Sequence, residues 1–216
     1  SPGRDWRRSF DEVRERGWEG EFAPDLAPPL HLVLEIGFGR GEFLGAQAHE
    51  RPECAYVGVE LSFKRVLKLA RRIARTPLRN VRLLCGRGEV ALEELFAAGS
   101  VAEAWINFPD PWPKKRHAKH RIVQPAFVHA LALRLAPGGV LHAATDDRAY
   151  AEQMDEVLSG EPLLENVHAP LHWLPDVEGR MRTAYEEQWR AEGRPLHFFA
   201  YRRTEAPPEG AAPDAP

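Results

Sequence analysis

Asp110 and Trp112 sit in a run that no regular element can absorb: Ile106-Asn107-Phe108-Pro109-Asp110-Pro111-Trp112-Pro113-Lys114-Lys115-Arg116-His117. Prolines at 109, 111 and 113 fix φ and remove backbone donors, which excludes a helix interior or a central strand. A loop this stiff can hold one carboxylate and one indole at the mouth of a pocket. The cations that follow, Lys114, Lys115, Arg116, Lys119 and Arg121, have the chemistry to bind phosphates. Together they point to an enzyme acting on a base within a nucleic acid.

A second constellation stands near the start. Glu35-Ile36-Gly37-Phe38-Gly39-Arg40-Gly41 follows an apolar run and precedes a helical pattern. Glycines at 37 and 39 let backbone approach a ligand and adopt φ > 0. A dinucleotide site needs G-x-G-x-x-G to seat a pyrophosphate on a helix N-terminus. Here Glu42 occupies the place of the third glycine, and an acid there repels a pyrophosphate. A cationic sulfonium carrying an amino-acid ammonium is compatible with it. Glu60, closing Gly58-Val59-Glu60, is placed to accept hydrogen bonds from two ribose hydroxyls. S-adenosylmethionine therefore fits better than a nicotinamide dinucleotide.

Alternating elements must position these groups. Apolar runs at Leu30–Ile36, Ala55–Glu60, Val81–Cys85, Ala102–Phe108 and Val140–Thr145 read as buried parallel strands. Helices are expected over Glu42–Glu50, Ser62–Arg75, Glu89–Ala98, Gln124–Leu135 and Asp147–Ser159, with Ser62 as an N-cap and Pro137-Gly138-Gly139 as a tight turn. Leu163–His172 and Leu196–Arg203 read as late strands, with an irregular segment between them. Repeated βα units imply an α/β fold, a doubly wound, mostly parallel sheet with late antiparallel strands. Ligands bind at the carboxyl ends of such strands, where Glu35, Gly37, Glu60, Asp110 and Asp146 should converge.

The chain has 216 residues, 44% of them hydrophobic and 28% charged, as in a globular domain. Its net charge of −3 argues against a nucleic-acid partner only in sum, because phosphates respond to local charge. Residues 1–29 are arginine-rich and read as an extension that orders only on a substrate, residues 30–205 as the catalytic domain, and 206–216 as a disordered Pro/Ala-rich tail. No apolar stretch is long enough to span a bilayer, no secretory leader is recognisable, and Cys54 and Cys85 match no metal or redox pattern. A cytoplasmic setting without membrane contact is expected. His117 and His120 lack a third ligand, so no metal is expected.

Glu35-Ile36-Gly37-Phe38-Gly39, Gly58-Val59-Glu60, Asn107 to His117, Thr145-Asp146-Asp147 and the late Thr183-Ala184-Tyr185-Glu186 resemble, in order, the bacterial tRNA (guanine-N7)-methyltransferases. The resemblance implies a class I S-adenosylmethionine-dependent methyltransferase fold and methylation of guanine 46 in the tRNA variable loop. It assigns Glu35, Gly37, Gly39, Glu60 and Asp110 to the cofactor, with Asp110 also catalytic. Lys114, Asp146, Thr183, Ala184, Tyr185 and Glu186 fall to the tRNA substrate. One position departs: Arg87, in Cys85-Gly86-Arg87-Gly88, stands where the family carries an acid near the adenine. Relatives act as monomers or homodimers, and both states stay open. So does the choice of Asp110 or Asp146 as guanine contact, and of Trp112 as base stacker or loop anchor. Rival readings are a tRNA-binding protein with an inactive cofactor site, which Arg87 invites, and a same-fold methyltransferase acting on an exocyclic amine.

Overall fold

A computed structural model describes residues 4–205. The apolar runs form strands β2 (Leu32–Ile36), β3 (Ala55–Glu60), β4 (Val81–Cys85), β5 (Val101–Asn107) and β6 (Leu135–Thr145), all mutually parallel where they pair. β8 (His197–Arg203) adds antiparallel to β6, and the short β7 (Leu164–Asn166) antiparallel to β8. A two-residue β1 (Arg7–Arg8) completes an eight-stranded sheet of order β1-β4-β3-β2-β5-β6-β8-β7. β2 and β3 are buried along their whole length, which is why they read as continuous apolar runs. Topology reverses at β2, whose neighbours are β3 and β5, so a crevice opens at its carboxyl end.

The crossovers are α2 (Glu42–Glu50), α3 (Phe63–Ile73), α4 (Gly88–Leu95), α5 (Pro125–Arg134) and α6 (Arg148–Ser159). Ser62 caps α3 by accepting from the Arg65 amide, and Asp147 caps α6 through Tyr150. α3 turns Val66, Leu69, Ala70 and Ile73 into the core and its cations outward. Gly58 in β3 is a packing requirement: a Cβ there would lie 2.5 Å from a Leu44 methyl and 2.7 Å from the Phe38 ring.

Residues 4–29 overturn the expectation of an extension that orders only on a substrate. α1 (Phe10–Phe22) begins with a complete capping box between Ser9 and Glu12, and kinks at Gly17, where φ is 66°. Trp6, Val13, Trp18 and Phe22 are buried, and the Trp18 indole donates to the Leu95 carbonyl at 2.8 Å. The clamp is Arg82 of β4, 1% exposed, which reaches the Glu21 carbonyl at 2.9 Å and Asp25 at 2.8 Å. Its guanidinium lies over the rings of Trp6 and Phe22.

Three further segments differ from their sequence reading. Pro137-Gly138-Gly139 does not separate α5 from its strand; β6 starts at Leu135 and carries the turn residues as an irregularity opposite Val101 and Glu103. The run Leu163–His172 yields only three strand residues, because the Asn166 side chain accepts from the His168 amide and ends the strand in an Asx turn. The segment expected to be irregular holds α7 (Ala184–Ala191), capped by Thr183. The expected tail, 206–216, lies outside the described residues. Among the described residues no helix is long and apolar enough to cross a membrane.

Candidate active site

A cavity of about 580 Å³ occupies the crevice at the carboxyl ends of β2, β3 and β5. Glu35, Gly37, Gly39, Glu42, Glu60 and Asp110 line it together with Thr183 and Tyr185 of the late segment. Gly37 and Gly39 adopt φ of 73° and 57°, and a Cβ at either would meet nothing within 4 Å. Their glycine character serves the turn, and it leaves a bare backbone cradle for a ligand.

The two acids of this cradle have opposite surroundings. Glu60 Oε2 accepts from the Gly39 amide at 2.9 Å and Oε1 from the Ser62 amide at 3.1 Å. Glu35 is buried, and among the described residues its Oε2 has no hydrogen-bond partner. Burial pushes its carboxyl up to about 8, against the opposing pull of Arg180 and Asn107. An orphaned buried acid beside open, positive-φ glycines fits a ligand that brings a cation. Glu42, at the start of α2, faces the same cavity and accepts from the Ala184 amide at 3.0 Å.

Sequence reasoning missed Arg180. Its side chain is 6% exposed, donating to Glu186 at 2.5 Å and to Asn107 Oδ1 at 2.7 Å, over the faces of Phe43 and Phe198. It ties the late segment to the end of β5 and puts a cation near Glu35. An arginine three residues before Thr183 carries no local signature that could have revealed this. Glu186, assigned to substrate, is fully buried as the partner of Arg180. Tyr185 is exposed, stacked on Trp189 with ring centroids 5.8 Å apart, and covered by Arg40.

The proline loop is held by strained backbone: Phe108 and Trp112 have φ of 49° and 43°. Asp110 accepts from the Trp112 amide at 3.1 Å, and its carboxylate remains exposed at the cavity rim. Trp112 packs on His117 and His120, outside the cavity lining, which is the arrangement of an anchor. Lys114, Lys115, Arg116 and Lys119 are exposed on and before a 3-10 helix spanning Lys115–His120. Arg121 departs from the expected phosphate contact: it is buried, donates to the Pro111 carbonyl and Gln153 at 2.7 Å each, and lies over Tyr150. Asp146 ends beyond the cavity lining, paired with Arg194 at 2.6 Å.

Residues 30–199 match the model of a family described as "Putative methyltransferase". Over 175 residues the chain is 43% identical to a tRNA (guanine-N(7)-)-methyltransferase of Alkalilimnicola ehrlichii, covering 81% of this chain and 73% of that protein. An enzyme of the same name from Bordetella pertussis is 42% identical over 193 residues, covering 86% and 75%; one from Streptomyces coelicolor is 40% identical, covering 83% and 67%. The chain belongs to the tRNA (guanine-N7)-methyltransferase family. Solved structures speak to the fold alone. The aminoglycoside resistance methyltransferase NpmB1 superposes with a TM-score of 0.59 at 17% identity, over 92% of this chain and 95% of that one. The [4+2]-cyclase SpnF superposes at 0.55 and 16%, over 91% and 80%. Sheet topology therefore does not select the reaction.

Within this methyltransferase family, Arg87 is the departure that invited an inactive site. Its side chain is 69% exposed, precedes α4, and reaches toward Glu89 at 3.8 Å. It is absent from the cavity lining and does not obstruct it.

Proposed function

We propose that the protein transfers a methyl group from S-adenosylmethionine to N7 of a guanine in tRNA, at position 46 of the variable loop. The observation that carries the reading is the coincidence of family membership with a cavity whose acids suit a cationic cofactor. Position 46 rests on the resemblance of Asn107 to His117 and Thr183 to Glu186 to the family motifs.

Glu35, Gly37, Gly39 and Glu60 would hold the cofactor, which supplies an electrophilic methyl group when bound. Glu35, whose Oε2 lacks a partner, would accept from the cofactor's ammonium. Glu60 uses two lone pairs on backbone amides and keeps the rest for hydroxyl donors. Guanine N7 carries an in-plane lone pair and needs no general base, so the protein's work is alignment and electrostatics. Asp110, exposed at the rim, can accept from guanine N–H groups and oppose the positive charge the ring acquires. Asp146 is the weaker candidate, because Arg194 already engages it. Tyr185 and Arg40 offer a flat, cationic surface beside the cavity on which a base can stack.

The test incubates the full chain with labelled S-adenosylmethionine and tRNA lacking 7-methylguanosine, followed by nucleoside mass spectrometry. The expected product is 7-methylguanosine, lost in transcripts with guanine 46 replaced. Methyl transfer to another nucleoside would overturn the assignment of the target atom.

A further inference from the structure

From Leu61 to Gly88 the chain contains nine lysines and arginines and no acid, within a protein of net charge −3, so the remainder nets −12 (−3 − 9). Such segregation is not needed by the fold. Only Arg82 of the nine is buried; α3 presents most of the rest outward. Lys64, Lys68 and Arg71 stand at i, i+4 and i+7 on one helix face, and Arg75 follows just past its C-cap. Eleven residues at 1.5 Å each make this stripe about 16 Å long. Among the described residues Lys64, Lys68, Arg71 and Arg75 have no carboxylate within salt-bridge distance. By contrast Arg4 and Arg7, across the neighbouring groove, are paired with Asp25 and Asp5.

The stripe is joined to the active site. A groove of about 520 Å³ lined by Lys64, Arg65, Lys68 and Arg72 shares Gly39, Arg40, Glu42 and Arg65 with the catalytic cavity. At its head, Leu61 and Phe63 are 69% and 59% exposed, an apolar pair beside cations that none of the described residues covers. The cationic loop Lys114–Lys119 follows β5, whereas α3 follows β3, so the two banks flank β2 from opposite sides.

We infer that the α3 stripe is a second phosphate track: the RNA crosses the cavity mouth from the proline loop to α3, held on both banks. This rests on the functional reading above and adds to it a surface that neither the motifs nor the cavity includes. Unpaired cations at helical spacing beside an exposed aromatic suit a polyanion with stackable faces better than an acidic protein surface.

The experiment is the triple variant Lys68→Gln, Arg71→Gln, Arg75→Gln in the full chain, at positions outside the catalytic cavity. tRNA binding is measured by filter retention from about 50 to 200 mM salt, beside turnover and calorimetric cofactor binding. The expected result is roughly 10-fold or greater weakening of tRNA binding and a salt slope smaller by about 2–3, with kcat and cofactor affinity unchanged. Affinity and slope equal to wild type would overturn the track and leave the face to an acidic protein partner. Because binding is scored against wild type, the inference is decided even if wild type methylates another nucleoside. That failure would appear in the wild-type product alone.

Discussion

Residues 4–29 and the late segment Asp176–Arg194 are both docked on the sheet by one buried arginine, and the two dockings differ in kind. Arg82 belongs to the sheet and reaches out to the terminal segment, where carbonyls, Asp25 and two aromatic rings satisfy it. Arg180 belongs to the late segment and reaches in, meeting Asn107 and Glu186 while Glu35 nearby keeps an orphaned oxygen. In the first network the arginine is satisfied, the one orphaned oxygen beside it among the described residues, Glu21 Oε1, lies outside the cavity lining, and no group is aimed at the cavity. The second leaves Glu35 Oε2, Asn107 Nδ2 and Glu186 Oε2 without hydrogen-bond partners among the described residues, and Glu35 and Asn107 line the cavity. A satisfied buried arginine contributes stability and uniqueness, whereas an unpaired acid that lines a cavity is available to a ligand.

Breaking the Arg82 network should give the largest effect. Arg82→Met strands the Glu21 carbonyl and leaves Asp25 only its half-exposed partner Arg4, and should cost about 3–5 kcal/mol. For a chain of this size that lowers Tm by roughly 6–20 °C, while turnover measured below the transition stays near wild type. Thermal unfolding beside a cold activity assay checks it; lost turnover with unchanged Tm would reverse the comparison. Arg180→Met should do the opposite in proportion: turnover falls about 100-fold or more, because the wall carrying Thr183 and Tyr185 is no longer fixed to β5. A purely structural role would leave the pH dependence of cofactor binding alone. Removing this cation should instead move it to higher pH, since Arg180 is the main influence holding Glu35 down.

Glu35 supplies a subtler test. Its carboxyl is raised from 4.5 to about 8, so the stability it contributes is fully present below pH 4.5 and is lost as pH rises through about 8. Urea unfolding across that window should show this decline in wild type and a shallower one in Glu35→Gln. At pH 7 a cationic ligand should expel a proton from this group, read as a buffer-dependent binding enthalpy absent in the variant. The smallest effect is expected of Arg87→Ala: with its side chain in solvent, cofactor affinity should change less than about 3-fold. A larger change would mean that Arg87 turns onto the ligand.

The sequence made the parallel strands and the cradle readable because their signals are local. Apolar runs, glycines at a strand end and the Ser62 cap each act within a few residues. Ser9 and Glu12 are equally local, and their capping box announces α1; the arginines around them suggest instead an extension that orders only on a substrate. Charge composition does not say which cations find partners. Arg121 and Arg82 turn inward onto rings and carbonyls, whereas Lys114 and Lys68 stay in water, and only tertiary packing decides between them. The proline loop was legible as stiff. Its left-handed residues at Phe108 and Trp112, and the packing of Trp112 on His117 and His120, were not.

The segregation of charge between residues 61–88 and the rest has a consequence for arrival as well as for grip. A molecule negative in sum but positive beside its cavity repels a polyanion over most approaches and draws it in over one. Collisions are thereby sorted before any contact forms, and an incoming strand is turned toward the productive face while still in solvent.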